Sequence, residues 1–431
     1  MSYSASLEYL FGLQKHGIKP GLDRIARLLD GLGRPQAAYP TLHIGGTNGK
    51  GSTAAMAAAM LQAAGYRVGL YTSPHLVEFR ERVRVNGTMI PEADMAALTE
   101  RVARLAGQGP QPTFFEFTTA LAFQYFAEAR VEVAVVEVGL GGRFDATNLI
   151  VPLASAITTV ALDHQEYLGS SLDAIAFEKA GIVKRDVPVV TGRLKLPAAE
   201  VVARTAKERQ APLYRLGREF EAQGDTLTGF TYRGMRGRQE GLTCPLAGAH
   251  QLDNAACALA LMELVSERGL CVSEQAVRAG LRRTFWEGRL EVVERDPLLL
   301  LDGAHNPEAG AALAAYLDSH RVSRPGSRVI VVLGMMRDKD LAGFCGLLTP
   351  LADELVLTQA QLTRAASVHE LASALGERAA GAHLAPHPAE ALALARRLAV
   401  AGDLICVTGS LMLVGDVKAL LRGCATSPIR G

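Results

Sequence analysis

HIGGTNGKGS, residues 43–52, decides the fold of this chain. It follows the apolar run TLHIGG and runs into the alanine-rich AAMAAAMLQAAG, so it reads as a loop that leaves a strand and enters a helix. The first amides of a helix have no intrahelical acceptor, and the helix dipole adds partial positive charge at the same end. Glycines let the main chain approach a polyphosphate there, and the Lys50 ammonium can reach its outer oxygens. The stretch departs from the usual G-x-x-x-x-G-K-[ST] loop because Gly51 separates Lys50 from Ser52. A plain glycine turn is the alternative; the lysine and the strand–loop–helix setting favour a nucleotide.

Around this loop, short apolar runs alternate with amphipathic segments: YRVGLYTS, the stretch around FTTALAFQYFAEA, VEVAVVEVG, ASAITTVALD. Apolar runs of this length between helices predict parallel strands buried on both faces, hence a doubly wound, mostly parallel α/β sheet carrying the phosphate loop. From Tyr214 to Cys244 glycines and alternating polar residues predict a small appended antiparallel sheet. After Trp286, a hairpin-like EVVERDPLLLLDG and the runs RVIVVLGMM, DELVLTQA and DLICVTGS predict a second, smaller Rossmann-like α/β domain. The expected division is 1–290 for the domain that carries the phosphate loop and the substrate site and 291–431 for the second α/β domain.

Composition narrows the function classes. The chain has 431 residues, 49% hydrophobic and 21% charged, which is enough to bury cores in more than one domain. A formal net charge of +1 gives no global field for nucleic acid or anionic lipid. No apolar run reaches the roughly 18 residues of a membrane span, and the N-terminus lacks a signal-peptide pattern. The six cysteines form no CxxC pair and sit mostly in apolar stretches, which predicts reduced, buried thiols and a cytoplasmic protein.

Three further residues fall just past predicted strands: Ser73 in YTSPHL, Glu137 at the end of VEVAVVEVG, and His164 in VALDHQEYLG. Open α/β sheets bind ligands at their strand C-terminal ends. A hydroxyl, a carboxylate and an imidazole there can hold a divalent metal beside phosphates, although magnesium prefers oxygens and water over imidazole. A helix cap, a strand-end ion pair and a loop histidine are the competing readings.

The ordered set GTNGKGS, SPHL, ERVRVNG, TFFEFTTALAF, EVGLGGRFDATN, LDHQEYLG, EKAGI, HQLDNAACAL, GRLE, DGAHNP, GMMRDKD and VTGSLMLVGDV, spanning about residues 5–420, resembles the folylpolyglutamate and dihydrofolate synthases of the Mur ligase family. That resemblance implies an ATP-dependent enzyme with two magnesium sites. It places Asn48, Gly49, Lys50, Gly51 and Ser52 on the ATP phosphates, Asn254 near the adenine, and Ser73, Glu137 and His164 on magnesium. It implies ATP contacts from Arg289 and Asp302 across an interdomain cleft, and puts His305 in the same cleft. A cap region around Asn306–Pro307 is the alternative for His305. Lys179 matches a lysine carbamylated by CO₂ in the family; by itself it reads as a solvated helix charge. Gly21, Leu22, Thr113, Phe115, Glu116, Phe144, Asp145 and Ala146 match a dihydropteroate or folate site, where an aromatic beside a carboxylate suits a flat heterocycle. Core packing is the competing reading for Phe115.

The implied reaction joins a carboxylate to the amine of L-glutamate at the expense of ATP, through an acyl phosphate. Lys50, magnesium and Arg289 neutralise the transferring phosphoryl group, with Lys179 and His164 beside the metal. The partners are small molecules; nucleic acid and membrane are excluded, and a monomer is expected. A cell-wall precursor ligase of the same family and a non-catalytic ATP-switched binding protein are the rivals; a nucleic-acid motor lacks the basic surface it needs.

Overall fold

Five consecutive buried residues in TLHIG and in VAVVE show why the central strands form: with helices on both faces, a strand has no wet side to give to polar residues. The computed structural model describes residues 1–14, 17 and 19–427. It divides into two compact units, each made of more than one piece of chain. The first comprises 1–75, 79–245 and 251–285; the second comprises 76–78, 246–250 and the residues from Trp286 onward.

In the first unit the chain runs α1 (Tyr3–Leu13), α2 (Asp23–Gly31), β1 (Thr41–Gly45), α3 (Lys50–Ala63), β2 (Val68–Tyr71), β3 (Val83–Val85), β4 (Thr88–Met89) and α4 (Glu92–Ala106). It continues through α5 (Phe114–Glu128), β5 (Val133–Glu137), β6 (Ala154–Ile157), α6 (Gln165–Leu168), α7 (Leu172–Ala180), β7 (Val189–Thr191), α8 (Leu196–Glu208) and β8 (Leu213–Arg215). These eight strands form one sheet in the order β4-β3-β2-β5-β1-β6-β7-β8. The pairings from β2 through β8 are parallel, and β3 and β4 add an antiparallel edge. β1 therefore lies between β5 and β6, and loops leaving the C-terminal ends of these strands are neighbours.

The appended sheet is present: β9 (Glu221–Asp225), β10 (Gly229–Arg233) and β11 (Arg238–Leu242) pair antiparallel in the order β11-β10-β9. Helices α9 (Ala249–Ser266) and α10 (Glu274–Arg283) follow.

The second unit contains β12 (Glu291–Arg295), β13 (Leu298–Leu301), α11 (Pro307–Ser323), β14 (Val329–Leu333), α12 (Leu341–Leu348), β15 (Glu354–Leu357), α13 (Val368–Leu375), β16 (His383–Leu384), α14 (Pro388–Leu398), β17 (Leu404–Thr408) and α15 (Leu411–Arg422). Its sheet order is β12-β13-β17-β14-β15-β16, parallel except for the expected β12–β13 hairpin. Alternate residues of its strands feed two cores. Leu299, Leu301, Ile330, Val332 and Val407 pack with Leu413 and Val417 of α15, whereas Leu300, Val331, Leu333 and Cys406 pack with Leu313, Leu317 and Phe344.

One competing reading and one expectation need correction. Lys179 is buried in α7, not solvated, because its side chain has a partner inside the first unit. Of the six thiols, all free, Cys271 and Cys424 are exposed: one follows α9 and the other follows α15, beyond the packed faces.

No helix among the described residues is long and apolar enough to cross a membrane.

Candidate active site

The loop after β1 is built by its neighbours. Thr47 N–H donates to the Thr159 carbonyl at 2.8 Å, Asn48 N–H donates to Thr159 Oγ1 at 2.9 Å, and Thr158 Oγ1 donates to the Asn48 carbonyl at 2.6 Å. The segment after β6 therefore fixes the loop. Gly49 caps α3 with φ of +86°, a conformation that penalises any Cβ. A Cβ there would also lie 2.2 Å from Asn254 Oδ1, so the buried Asn254 is packed directly on the turn. Gly51 and Ser52 occupy the buried first turn of α3.

Lys50 Nζ donates to the carbonyls of Gly46 and Thr47, both at 3.0 Å. Lys179 Nζ donates to the same Gly46 carbonyl at 3.0 Å. Burial, then the Lys50 charge, pushes the Lys179 ammonium down to about 7, against the pull of Asp163 and Asp145.

Helix α7 also reaches the loop after β5. Arg143 N–H donates to the Glu178 carbonyl at 2.8 Å, and the Arg143 guanidinium is bonded to the Glu178 carboxylate. The same guanidinium lies 4.2 Å from the centroid of the half-exposed Phe144 ring and 4.9 Å from that of Phe177. Asp145 is buried: it accepts from Leu140 N–H at 2.9 Å and Thr147 N–H at 3.0 Å, and also from Thr147 Oγ1. Burial raises its carboxyl against these bonds. Ala146 is buried beside it.

Thr113 and Glu116 form a capping box at the start of α5: the Thr113 hydroxyl accepts from Glu116 N–H, and the Glu116 carboxylate accepts from Thr113 N–H at 2.7 Å. Arg24 then ties that carboxylate to the 19–24 segment, donating to Glu116 Oε2 at 3.1 Å and to the Lys19 carbonyl at 2.6 Å. Gly21, with φ of +116°, and Leu22, the cap of α2, lie on this tether. The Phe115 ring covers Gly139, where a Cβ would come within 2.3 Å of the ring. The structure thus unites the 21–22, 113–116 and 139–146 segments in one neighbourhood.

Ser73 and Glu137 also meet. β2 and β5 pair in parallel, and Ser73 N–H donates to Glu137 Oε2 at 3.2 Å. His164 makes its described contacts elsewhere. It caps α6 with φ of +50°, its N–H donates to Asp163, and its Nε2 lies 3.9 Å from the same carboxylate. Among the described residues, no three His, Cys, Asp or Glu side chains converge as a metal-ligand group.

In the second unit, Asp302 accepts from Leu290 N–H at 2.8 Å and from Ala304 N–H at 2.9 Å. Arg289 Nη1 donates to the Gly288 carbonyl, and His305 Nδ1 lies 2.8 Å from the Gly303 carbonyl. Asn306 caps α11 with Pro307 at its first position, so the cap read from the sequence exists beside His305.

Sequence reading missed several supporting residues. Arg82 is buried, donates to His75 Nδ1 at 2.8 Å, and stands over Phe79 and Phe114; burial opposes its charge while Tyr71, Glu81 and Glu137 support it. His43 donates to Thr147, whose own hydrogen goes to Asp145, and burial pushes the His43 imidazolium down to about 3. Arg24 stands two residues past Leu22, and only the folded chain shows its partner.

Two family models match the chain: the Mur ligase middle domain over residues 44–262 and the Mur ligase glutamate ligase domain over 288–411. The chain belongs to the Mur ligase family. Relatives of this Mur ligase include the Bacillus subtilis dihydrofolate synthase/folylpolyglutamate synthase, 33% identical over 98% of the chain and 99% of the relative. The Lacticaseibacillus casei folylpolyglutamate synthase is 37% identical, again over 98% and 99%. Among solved structures, Mycobacterium tuberculosis folylpolyglutamate synthase complexed with ADP and AMPPCP superposes with a TM-score of 0.90 at 35% identity, covering 97% of this chain and 98% of that one. Escherichia coli FolC in complex with DHPP and ADP gives a TM-score of 0.89 at 33% identity, with 98% of each chain covered.

Proposed function

We propose that this Mur ligase joins L-glutamate to dihydropteroate and to reduced folates, using ATP. One observation carries the reading: consecutive residues of α7 touch both halves of the needed site. Glu178 holds Arg143 beside Phe144, and Lys179 reaches the Gly46 carbonyl of the phosphate loop. The relatives' names and the nucleotide in their complexes support the same assignment.

A carboxylate resists amines because oxide would have to leave. A carboxylate oxygen of the acceptor therefore attacks the γ-phosphorus, and ADP departs. The glutamate amine then attacks the acyl carbon, loses a proton, and phosphate departs. Lys50 leaves its loop carbonyls for the phosphoryl oxygens, and the first-turn amides of α3 bind the other phosphates. Asn254, packed on Gly49, lies at the nucleotide. Arg289, Asp302 and His305 are assigned to the nucleotide as well.

Ser73 and Glu137 would hold magnesium: a hydroxyl and a buried carboxylate at paired strand ends suit an oxygen-preferring cation that keeps water ligands. When bound, the ion neutralises phosphate charge. His164 would complete this set, and the site would take a second ion. The neutral Lys179 amine can add to CO₂, forming an N–C bond and releasing a proton to give a carbamate beside Lys50. Arg24, Glu116, Phe115, Phe144 and Asp145 frame the pterin. The enzyme acts as a cytoplasmic monomer on small molecules.

An assay of ADP and product with dihydropteroate and tetrahydrofolate in parallel tests the proposal. Product that requires ATP, acceptor and glutamate together is expected; ADP release indifferent to glutamate overturns it.

A further inference from the structure

The turn bearing Arg289 is tied from behind by α15. Lys418 of that helix is buried, yet its Nζ lies 3.0 Å from Glu287 Oε1 and 2.6 and 2.8 Å from the two carboxylate oxygens of Glu291. Glu287 and Glu291 bracket Gly288, Arg289 and Leu290. Arg422 adds a second pair to Glu287 at the exposed edge. Within the bracket, Glu291 Oε2 accepts from Gly288 N–H at 2.7 Å, Asp302 accepts from Leu290 N–H, and the Gly288 carbonyl accepts from Gly303 N–H at 2.9 Å.

These bonds impose a main chain that the residues would not choose. Leu290 has φ of +44°, a left-handed conformation that is unfavourable for a non-glycine residue and persists only where the surroundings over-determine it. A buried ion cluster is an inefficient way to gain stability, since well-packed apolar side chains of equal volume often serve as well. What an ammonium with three donors supplies is geometry, because it fixes both ends of the turn to one point.

We propose that Lys418 is a positioning residue for Arg289: by holding Glu287 and Glu291 together it sets the strained turn that aims the guanidinium. The proposal rests on the nucleotide role assigned to Arg289 above. It differs from a plain stability clamp in one respect. If Lys418 acts through Arg289, its removal matters only while Arg289 is present.

The test is a double-mutant cycle in the full-length enzyme, with kcat/KM for ATP measured for wild type, Lys418→Met, Arg289→Ala and the double variant. Misplacing a group by about 1 Å can cost ~10²-fold, so Lys418→Met is expected to lower kcat/KM for ATP by about that factor, while KM for dihydropteroate stays within about twofold. Lys418→Arg should recover part of the loss. In the Arg289→Ala background, Lys418→Met should cost less than about threefold. Equal losses in both backgrounds overturn the proposal and leave a structural clamp. Unchanged ATP kinetics in Arg289→Ala overturn it differently, by removing the nucleotide role on which it rests. Should Lys418→Met fail to melt cooperatively, Glu291→Gln enters the same cycle. It keeps the side-chain shape, and its expected loss is about tenfold, again confined to the Arg289 background.

Discussion

Lys50 and Lys179 share one acceptor: both ammonium groups donate to the Gly46 carbonyl, each at 3.0 Å. Two cations at one oxygen repel, and burial gives Lys179 the weaker claim to its proton. Lys179 titrates near 7 when folded and near 10.4 when unfolded, so between these values the unfolded chain binds more protons and stability rises with pH. Urea midpoints in CO₂-free buffer should climb from pH 7 towards pH 10, and Lys179→Met should flatten the climb. A parallel rise in the variant would contradict the assignment.

Gly49→Ala places a Cβ against Asn254 at a positive φ. The cost is about 1–3 kcal/mol, felt in the loop we assign to the nucleotide phosphates. ATP affinity measured by calorimetry should fall at least ~10-fold, with a lower melting temperature.

Arg24→Ala cuts the tether from Glu116 to the Lys19 carbonyl without touching the phosphate loop. KM for dihydropteroate should rise about tenfold, as the loss of a charged hydrogen bond implies, while KM for ATP stays near wild type. A matching rise in both constants would show a general loss of folding instead.

Thiol titration checks the burial pattern. In native enzyme, Cys271 and Cys424 should react with a thiol reagent within minutes, and all six should react after denaturation. Fast native reaction of Cys257, whose thiol burial pushes well up, would contradict the packing of α9.

Incorporation of ¹³CO₂ checks the state of Lys179. A carbamate carbon signal, with a mass gain of one CO₂ on native enzyme, is expected in bicarbonate and should be absent from Lys179→Met.

The strand–loop–helix from Thr41 to Ala63 was legible in the sequence because its signal is local: an apolar run, glycines, a lysine and an alanine-rich helix stand in order along the chain. Buried runs gave the parallel strands for the same reason, and the alternation after Tyr214 gave the small sheet. What was not legible depends on contacts between distant positions. Nothing near Lys179 announces that its ammonium will meet residue 46, so helical patterning alone leaves it in solvent. Thr158 and Thr159 brace the loop only because β6 pairs beside β1. Thr113 and Glu116 carry a capping signature that sequence can show, but their link to Arg24 requires the fold. The second unit includes residues 76–78 and 246–250, which no composition shift marks.

Those outlying pieces constrain how the molecule is made. Gly415 of α15 lies so close to the Leu76 carbonyl that a Cβ would come within 2.1 Å of it, and Ser427 N–H donates to the Val77 carbonyl. A ribosome delivers Leu76 early and α15 hundreds of codons later. The nascent polypeptide must therefore carry Leu76–Glu78 without their final neighbours through most of translation, and a fragment starting at Trp286 would leave the Gly415 face of α15 bare.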